Sequence, residues 1–251
     1  MWIYPRIVAH RGGGTLAPEN TLAAMRCGLQ YGFHAVEFDV MLARDGVPVL
    51  MHDFCFGRTV RGLGSVSETT AAELAAMDAG SWLSPAFAGE LVPTYEQVLA
   101  FCKHNAIWMN VEIKPVPSFE EATGHTVGEM TRRLFAGETA AGKQGAGLPL
   151  FSSFSFDALR AAKEVAPDIP RGFLVDKIPS DWLQRLQALD AIALHANQKN
   201  MTEPLARAVK AEGFGLFCYT VNTPERAREL FAWGVDAICT DRLDLIGPDF
   251  S

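Results

Sequence analysis

Two short apolar runs carry acidic residues whose spacing could form a metal site. Glu37 and Asp39 are separated by one residue, so both side chains point to the same face of a strand. Glu112 lies in a second such run. An isolated Glu-x-Asp also occurs on exposed strands, but the apolar residues around this one favour burial, where acids need a cation. Carboxylate oxygens suit a hard ion, so the sequence predicts one divalent metal ion, Mg²⁺ or Ca²⁺.

Basic and proton-transferring residues accompany these acids. His10 and Arg11 end the first apolar run and precede three glycines, while Lys114 shares a strand face with Glu112. A glycine-rich turn alone is equally typical of an ordinary strand-to-helix connection. Histidine, however, can transfer a proton near neutral pH, and the planar arginine fork binds phosphate oxygens.

The formal charges of this candidate site add up to a small positive value. The acids Glu37, Asp39 and Glu112 contribute three negative charges, a divalent ion two positive charges, and Arg11 and Lys114 two more. The sum is +1. A site of that charge suits a phosphodiester monoanion, although the whole chain has a formal charge of -7.

The elements that must position these residues alternate along the chain. Helical patterns with apolar residues on one face separate most of the short apolar runs, which predicts parallel βαβ units closing into one (β/α)8 TIM barrel, an α/β fold. The predicted strands are 7–9, 35–40, 107–113, 148–151, 172–175, 191–194, 215–221 and 235–240. The predicted helices are 21–31, 95–104, 156–165, 181–189, 203–212 and 224–233.

One apolar run, residues 47–52, follows the second strand too soon for a parallel crossover. Asp-Gly at positions 45 and 46 predicts a β-hairpin. Folding between these two residues pairs positions that sum to about 91, with His52 opposite Asp39 and Asp53 near Phe38. The hairpin would thus bring a histidine to the acidic end of the second strand.

Two segments fall outside the alternation. Residues 54–92 contain many small residues and no clear strand, and we expect a small insertion over the barrel mouth. Residues 136–147 are rich in glycine, alanine and threonine, which predicts a flexible surface loop. No internal repeat or linker suggests a second domain, so residues 1–251 are expected to form a single barrel domain.

Composition limits the possible partners and location. The chain of 251 residues has 22 basic and 29 acidic side chains, so it offers no basic field for nucleic acid or an anionic membrane surface. Its five cysteines are scattered and lack metal-ligand spacing, which argues against structural zinc. The first residues show no basic segment leading into a long apolar run, and no apolar run reaches membrane-spanning length, so we expect neither a secretion signal nor a membrane span. A cytoplasmic protein is expected.

A series of short motifs runs along nearly the whole chain: His10-Arg11-Gly12, Ala17-Pro18-Glu19-Asn20-Thr21, Glu37-Phe38-Asp39-Val40, Asp45-Gly46-Val47-Pro48-Val49, His52-Asp53, Val111-Glu112-Ile113-Lys114, Thr220-Val221-Asn222, Gly234-Val235-Asp236 and Thr240-Asp241. In this order and spacing, the motifs resemble those of the glycerophosphodiester phosphodiesterase family. Finer motifs, such as residues 4–14, 78–82 and 246–248, resemble the cytoplasmic bacterial members associated with glycerol-3-phosphate uptake.

The resemblance implies metal-dependent hydrolysis of small glycerophosphodiesters to sn-glycerol-3-phosphate and an alcohol. It also allows the glycerol 2-hydroxyl to attack first and form a cyclic phosphate, and the sequence does not choose between the routes. The implied roles are metal binding by Glu37, Asp39 and Glu112, acid/base catalysis by His10 and His52, phosphate binding by Arg11 and Lys114, and orientation of Arg11 and its loop by Glu19 and Asn20.

Three further residues are candidates for the substrate pocket. Tyr219 stands where many relatives carry tryptophan, a difference that bears on substrate preference and not on activity. Ser153 and His195 follow predicted strands, and a polar strand end without a role explains them equally well.

Two other functions remain open at this stage. A lipid-directed, phospholipase-like phosphodiesterase would call for an exposed apolar rim or a basic membrane patch, and neither is evident in the sequence. A non-catalytic barrel that binds polyol phosphates would be expected to lack one of the candidate metal carboxylates or catalytic histidines. All three carboxylates and both histidines are present. The preferred alcohol and the oligomeric state are not indicated.

Overall fold

The computed structural model describes residues 2–143 and 147–251 and contains a closed barrel of parallel strands. Strand β1 pairs in parallel with β2 on one side and with β9 on the other, which closes the ring. The predicted TIM barrel is therefore confirmed. The strands are β1 (Ile7–Ala9), β2 (Ala35–Leu42), β3 (Pro48–Leu50), β4 (Trp108–Ile113), β5 (Leu150–Ser153), β6 (Arg171–Val175), β7 (Ala193–Asn197), β8 (Gly215–Tyr219) and β9 (Ala237–Thr240).

All six predicted helices are present. Capping boxes at Thr70 with Glu73 and at Thr94 with Gln97 begin the second and third helices. The helices are α1 (Leu22–Gln30), α2 (Ala71–Leu74), α3 (Tyr95–His104), α4 (Glu120–Leu134), α5 (Ala136–Ala140), α6 (Phe156–Val165), α7 (Trp182–Ala188), α8 (Glu203–Ala211) and α9 (Pro224–Ala232). Within the described ranges, no helix is long and apolar enough to cross a bilayer.

Helix α4 was not predicted, because its buried face consists mainly of small and polar residues. Gly124, Gly128 and Thr131 lie on that face. A Cβ at Gly124 would overlap the backbone carbonyl of Ala158 in α6, so glycine allows the two helices to pack closely. Such a face lacks the apolar periodicity from which helices are predicted.

The loop predicted for residues 136–147 is wrong at its start. Ala136–Ala140 form α5, which follows α4 directly, and the side chain of Thr139 donates a hydrogen bond to the carbonyl of Phe135. Small residues such as alanine support a helix as readily as a loop. Residues 144–146 of the predicted loop lie outside the described part of the chain.

The predicted hairpin forms, but its register differs by one residue. Val40 pairs with Leu50 and Met41 with Val49, so opposite residues sum to 90 and not to 91. Ala43 accepts from Gly46 and donates to Val47, which makes a three-residue loop with Gly46 at φ 77°. His52 therefore lies one position further than predicted, and Met51 is the residue that hydrogen bonds to the backbone of Asp39.

The insertion at residues 54–92 contains α2 and two short 3-10 turns, Val66–Glu68 and Pro85–Phe87. It shares an apolar cluster with the hairpin, in which Met41, Val49, Val66 and Leu74 are buried. This cluster is separate from the apolar layer between the barrel strands and the helices. It packs the insertion against the C-terminal end of β2 and against β3.

Candidate active site

Three buried carboxylates meet inside the barrel at the C-terminal part of adjacent strands. Strands β2 and β4 pair so that Glu37 lies opposite Asn110 and Asp39 opposite Glu112. One oxygen from each of Glu37, Asp39 and Glu112 lies within 4.8 Å of the other two. The period-two alternation of each strand, together with this register, produces the cluster.

The electrostatics of the cluster favour a bound cation. Burial, reinforced by the neighbouring acids, raises the pKa of Glu37 well above its ordinary value and that of Glu112 to about 7. Among the described residues, Glu37 Oε1 and Glu112 Oε1 have no hydrogen-bond partner. Buried oxygens without partners are costly, and hard divalent cations take oxygen ligands, so these residues fit such an ion.

Two basic side chains reach the same cluster. Arg11 Nε lies 3.5 Å from Asp39 Oδ2, and Lys114 Nζ lies 3.1 Å from Asp39 Oδ1 and 3.6 Å from Glu112 Oε1. Burial opposes ionisation of Asp39, but these two cations outweigh it and hold the pKa of Asp39 below its ordinary value. The predicted acids and bases are thus brought together.

Glu19 and Asn20 support different members of this group. Glu19 Oε1 accepts a hydrogen bond from Arg11 NH1 at 2.7 Å. Asn20 donates from Nδ2 to Asp39 Oδ2 at 2.8 Å and accepts from the Asp39 backbone N–H at 3.0 Å. Its own backbone N–H bonds to the carbonyl of Arg11. Asn20 therefore fixes an acidic side chain as well as the loop.

The backbone of the first loop is shaped for the site. Arg11 has a φ of 52° and donates its N–H to Glu37 Oε2 at 3.1 Å. Gly14 also has positive φ, and a Cβ there would overlap the backbone of Asp241. Left-handed backbone at a non-glycine residue is unfavourable and needs support from its surroundings. The loop after β1 is thus held against β2 and β9.

One ring nitrogen of His10, Nδ1, lies against a carboxylate. Its Nδ1 lies 2.5 Å from Asp241 Oδ1, while its Nε2 lies 3.8 Å from Glu37 Oε2. Asp241 is held in turn by Asn222, whose Nδ2 donates to Oδ2 at 2.9 Å. A carboxylate on Nδ1 fixes the ring and leaves Nε2, on the side of the acidic cluster, for proton transfer.

His52 repeats the arrangement from the hairpin. Its Nδ1 lies 2.6 Å from Asp53 Oδ1, and Arg58 Nε donates to Asp53 Oδ2 at 2.5 Å. Burial lowers the pKa of His52, although the charge of Asp39 opposes this. The neutral imidazole is therefore the main form at pH 7, and it can accept a proton.

Ser153 and Tyr219 lie near the barrel mouth with their hydroxyls engaged. Ser153 Oγ donates to the carbonyl of Ile113 at 2.5 Å and accepts from the Ser155 N–H. Tyr219 donates to the carbonyl of Val175 at 3.0 Å and packs edge to face with Phe154. Tyr219 can therefore offer an aromatic ring, whereas the Ser153 hydroxyl bonds only to backbone.

His195 is not part of the group that the structure brings together. It lies in the middle of β7, is fully buried and stacks on Phe217 with ring centroids 4.6 Å apart. Neither ring nitrogen has a hydrogen-bond partner within the described ranges, and burial lowers its pKa to about 3. The neutral ring fills the barrel interior below the mouth.

The ring of His195 occupies space that Gly172 leaves free, because a Cβ on that glycine would overlap the imidazole. We expect Gly172→Ala to lower the free energy of unfolding by about 1–3 kcal/mol through overpacking. Urea denaturation measures this. Gly137→Ala is the control, since no atom lies within 4 Å of the added Cβ. A Gly172→Ala variant as stable as the control would contradict the packing described here.

Sequence reasoning missed four residues of the site. Asp53 and Asp241 contact the two histidines, Asn222 holds Asp241, and Arg58 holds Asp53. The first three lie in the motifs that carry the family resemblance, and the adjacency of Asp53 to His52 was a usable signal. Arg58 had no such signal, because it lies in the insertion.

Comparisons with known proteins agree with this geometry. Residues 10–245 match the model of the glycerophosphoryl diester phosphodiesterase family. YhdW of Bacillus subtilis is 33% identical over 250 residues, 97% of both chains. A glycerophosphodiester phosphodiesterase of Caldanaerobacter subterraneus is 32% identical, over 94% of this chain and 93% of the relative. Among solved structures, a phosphodiesterase of Oleispira antarctica in complex with the product sn-glycerol-3-phosphate has a TM-score of 0.85 and 35% identity, and the match covers 95% of this chain and 93% of that one.

Both the extent of the family match and the identity over nearly the full length exceed what a shared barrel alone would give, since one barrel fold serves many chemistries. The chain therefore belongs to the glycerophosphoryl diester phosphodiesterase family and is an enzyme of that type.

Proposed function

We propose that this enzyme hydrolyses small glycerophosphodiesters to sn-glycerol-3-phosphate and an alcohol, with one divalent metal ion and two histidines. The main support is the pair of carboxylate-bound histidines, His10 and His52, beside a cluster of three buried acids. The product in the Oleispira antarctica relative supports the same product here.

In this proposal Glu37, Asp39 and Glu112 hold the ion, and Mg²⁺ or Ca²⁺ is favoured because all three offer oxygen. A bound ion of this kind supplies Lewis-acid polarisation of phosphoryl oxygens. Arg11 and Lys114 bind the phosphate, and Glu19 and Asn20 keep their surroundings fixed. Tyr219 presents its ring to the glycerol part.

The two histidines share the proton transfers. One removes a proton from the attacking water or glycerol 2-hydroxyl, and the other protonates the departing alkoxide. Both rings have Nδ1 against a carboxylate, Asp241 or Asp53, so Nε2 is the atom that exchanges the proton. Two such groups suit a displacement in which one oxygen bonds to phosphorus as another leaves.

We propose that the only partner is a small glycerophosphodiester substrate and that the protein binds neither nucleic acid nor a membrane. The net charge of -7 supports this choice. We also propose a cytoplasmic location, for which the five free cysteines, including the exposed Cys55, are the support.

A coupled assay for sn-glycerol-3-phosphate tests the proposal. We expect release from glycerophosphocholine, glycerophosphoethanolamine and glycerophosphoglycerol with kcat/KM values within about a hundredfold, or about 2.7 kcal/mol, because the proposed contacts address phosphate and glycerol. A larger preference would reveal a specific alcohol pocket. Cleavage of phosphatidyl lipids in vesicles without cleavage of these substrates would favour the lipid-directed alternative.

A further inference from the structure

We propose that Arg58 is a positioning residue that links the phosphate-binding Arg11 to His52. This inference rests on the proposed function, because it concerns the same site. Arg58 belongs to the insertion between β3 and α3, and it contacts neither the acidic cluster nor any atom assigned to substrate. Its contacts instead join two carboxylates, Glu19 and Asp53, that each hold another residue of the site.

One arm of the guanidinium binds Glu19. Arg58 NH1 donates to Glu19 Oε2 and Arg58 NH2 to Glu19 Oε1, both at 2.7 Å. The same Oε1 accepts from Arg11 NH1 at 2.7 Å. The side chain of Glu19 is only 11% exposed, so its charge depends on these two arginines. Glu19 is thereby kept in one orientation beside Arg11.

The other arm binds Asp53. Arg58 Nε donates to Asp53 Oδ2 at 2.5 Å, and Asp53 Oδ1 lies 2.6 Å from His52 Nδ1. Asp53 thus has one oxygen for each neighbour. Asp53 is partly exposed, so the contact with Arg58 restricts a carboxylate that could otherwise rotate away from the imidazole.

Only arginine can make both contacts at once. Its planar fork presents several N–H donors in fixed directions, whereas lysine is a single point charge. An exposed ion pair adds little to folding stability, and the side chain of Arg58 is 44% exposed. The link should therefore act on the alignment of Arg11 and His52 more than on the stability of the barrel.

The two arms predict separable kinetic effects. Without the Glu19 arm, Arg11 loses part of its support, which weakens phosphate binding and raises KM. Without the Asp53 arm, the His52 ring is less well oriented, which lowers kcat. Small misplacements of catalytic groups cost up to about 10²-fold. We expect Arg58→Ala to lower kcat/KM by about 10- to 100-fold, through both parameters.

The experiment combines steady-state kinetics with calorimetric titration of sn-glycerol-3-phosphate into the metal-loaded enzyme. Arg58→Ala should weaken product binding and lower kcat. Arg58→Lys can make only one of the two contacts, so it should recover either product binding or kcat, but not both. Arg61→Ala, an exposed arginine of the same insertion, is the control and should match wild type. The melting temperature of Arg58→Ala should stay near that of wild type. If Arg58→Ala does not fold, Arg58→Gln takes its place.

Double-mutant cycles decide whether Arg58 acts through its partners. In the presence of Glu19→Gln, Arg58→Ala should add little to KM, and with Asp53→Asn it should add little to kcat, because residues in one network are not additive. Full additivity in both cycles, or an active wild type with unchanged Arg58→Ala kinetics, would overturn the link alone. A wild type that releases no sn-glycerol-3-phosphate would overturn the proposed function and the link with it.

Discussion

Replacing His10 or His52 by alanine is expected to lower kcat by about 10²- to 10⁴-fold, the usual contribution of a general acid or base. Metal affinity should change little. The atoms that lie within 4.8 Å of one another are carboxylate oxygens of Glu37, Asp39 and Glu112, and neither imidazole is among them. Each ring has Nδ1 against a carboxylate, which leaves one nitrogen for the reaction.

Rate measurements beside calorimetric titration of Mg²⁺ or Ca²⁺ check this prediction. His125→Ala is the matched control, since that residue is exposed on α4 and should leave both quantities unchanged. If His52→Ala binds metal as poorly as Glu37→Gln does, His52 supports the metal site and is not an acid or base. Near-normal kcat in either variant would remove that residue from the mechanism.

The aspartates that orient the histidines should matter less than the rings themselves. Asp241→Asn and Asp53→Asn keep the shape of the contacts but remove the negative charge beside Nδ1 of each ring. The second oxygen of each aspartate is also held, that of Asp241 by Asn222 and that of Asp53 by Arg58. The loss of kcat in each variant therefore measures what the charge of the aspartate contributes beyond the contact that orients the ring.

Much of the site followed from local periodicity. The alternation of a strand places Glu37 and Asp39 on one face without any knowledge of the fold. Which residues lie opposite them depends on the register of β2 with β4, and only the folded barrel pairs Asp39 with Glu112. The sequence could therefore indicate a three-acid site, but not its dimensions.

Contacts across the barrel closure were beyond sequence reasoning. His10 and Asp241 are 231 positions apart and meet because β1 pairs with β9. The hairpin register failed for a different reason: an Asp-Gly pair fits loops of two or three residues, and Gly46 has the positive φ that either one allows. A single residue in the loop therefore moved His52 by one position.

The position of His195 differs from the predicted one because the end of its strand was predicted too early. The seventh predicted strand ended at residue 194, which put His195 at the mouth, but β7 continues to Asn197. The three added residues, 195–197, place the ring inside the barrel, where it packs on Phe217. Strand boundaries are the weakest part of such predictions because edge residues have no periodicity of their own.

Removal of the metal ion is expected to abolish activity, and Mg²⁺ or Ca²⁺ should restore it. Without an ion, Glu37 and Glu112 face each other and Asp39 in a buried space. Glu37→Gln should lose metal affinity and activity together, while Glu212→Gln, an exposed glutamate, should lose neither. Full activity after exhaustive chelation would contradict the metal assignment.

The same cluster predicts how the stability of the chelated enzyme depends on pH. Burial raises the pKa of Glu112 from its ordinary 4.5 to about 7, and that of Glu37 shifts in the same direction. The folded state then binds more protons than the unfolded state between these values, so stability falls as pH rises from about 4.5 to 7. The melting temperature of the chelated enzyme should decrease across this range.

Bound metal should reverse this trend, because it binds the ionised carboxylates of the folded state only and stabilises that state by mass action. The difference in melting temperature between loaded and chelated enzyme should therefore grow from pH 5 to pH 8. Glu37→Gln removes one of the repelling charges, so we expect a chelated variant at least as stable as chelated wild type, without the increase on adding metal. Thermal melts of the four samples measure this. A metal-induced increase that persists in Glu37→Gln would place the ion elsewhere in the barrel.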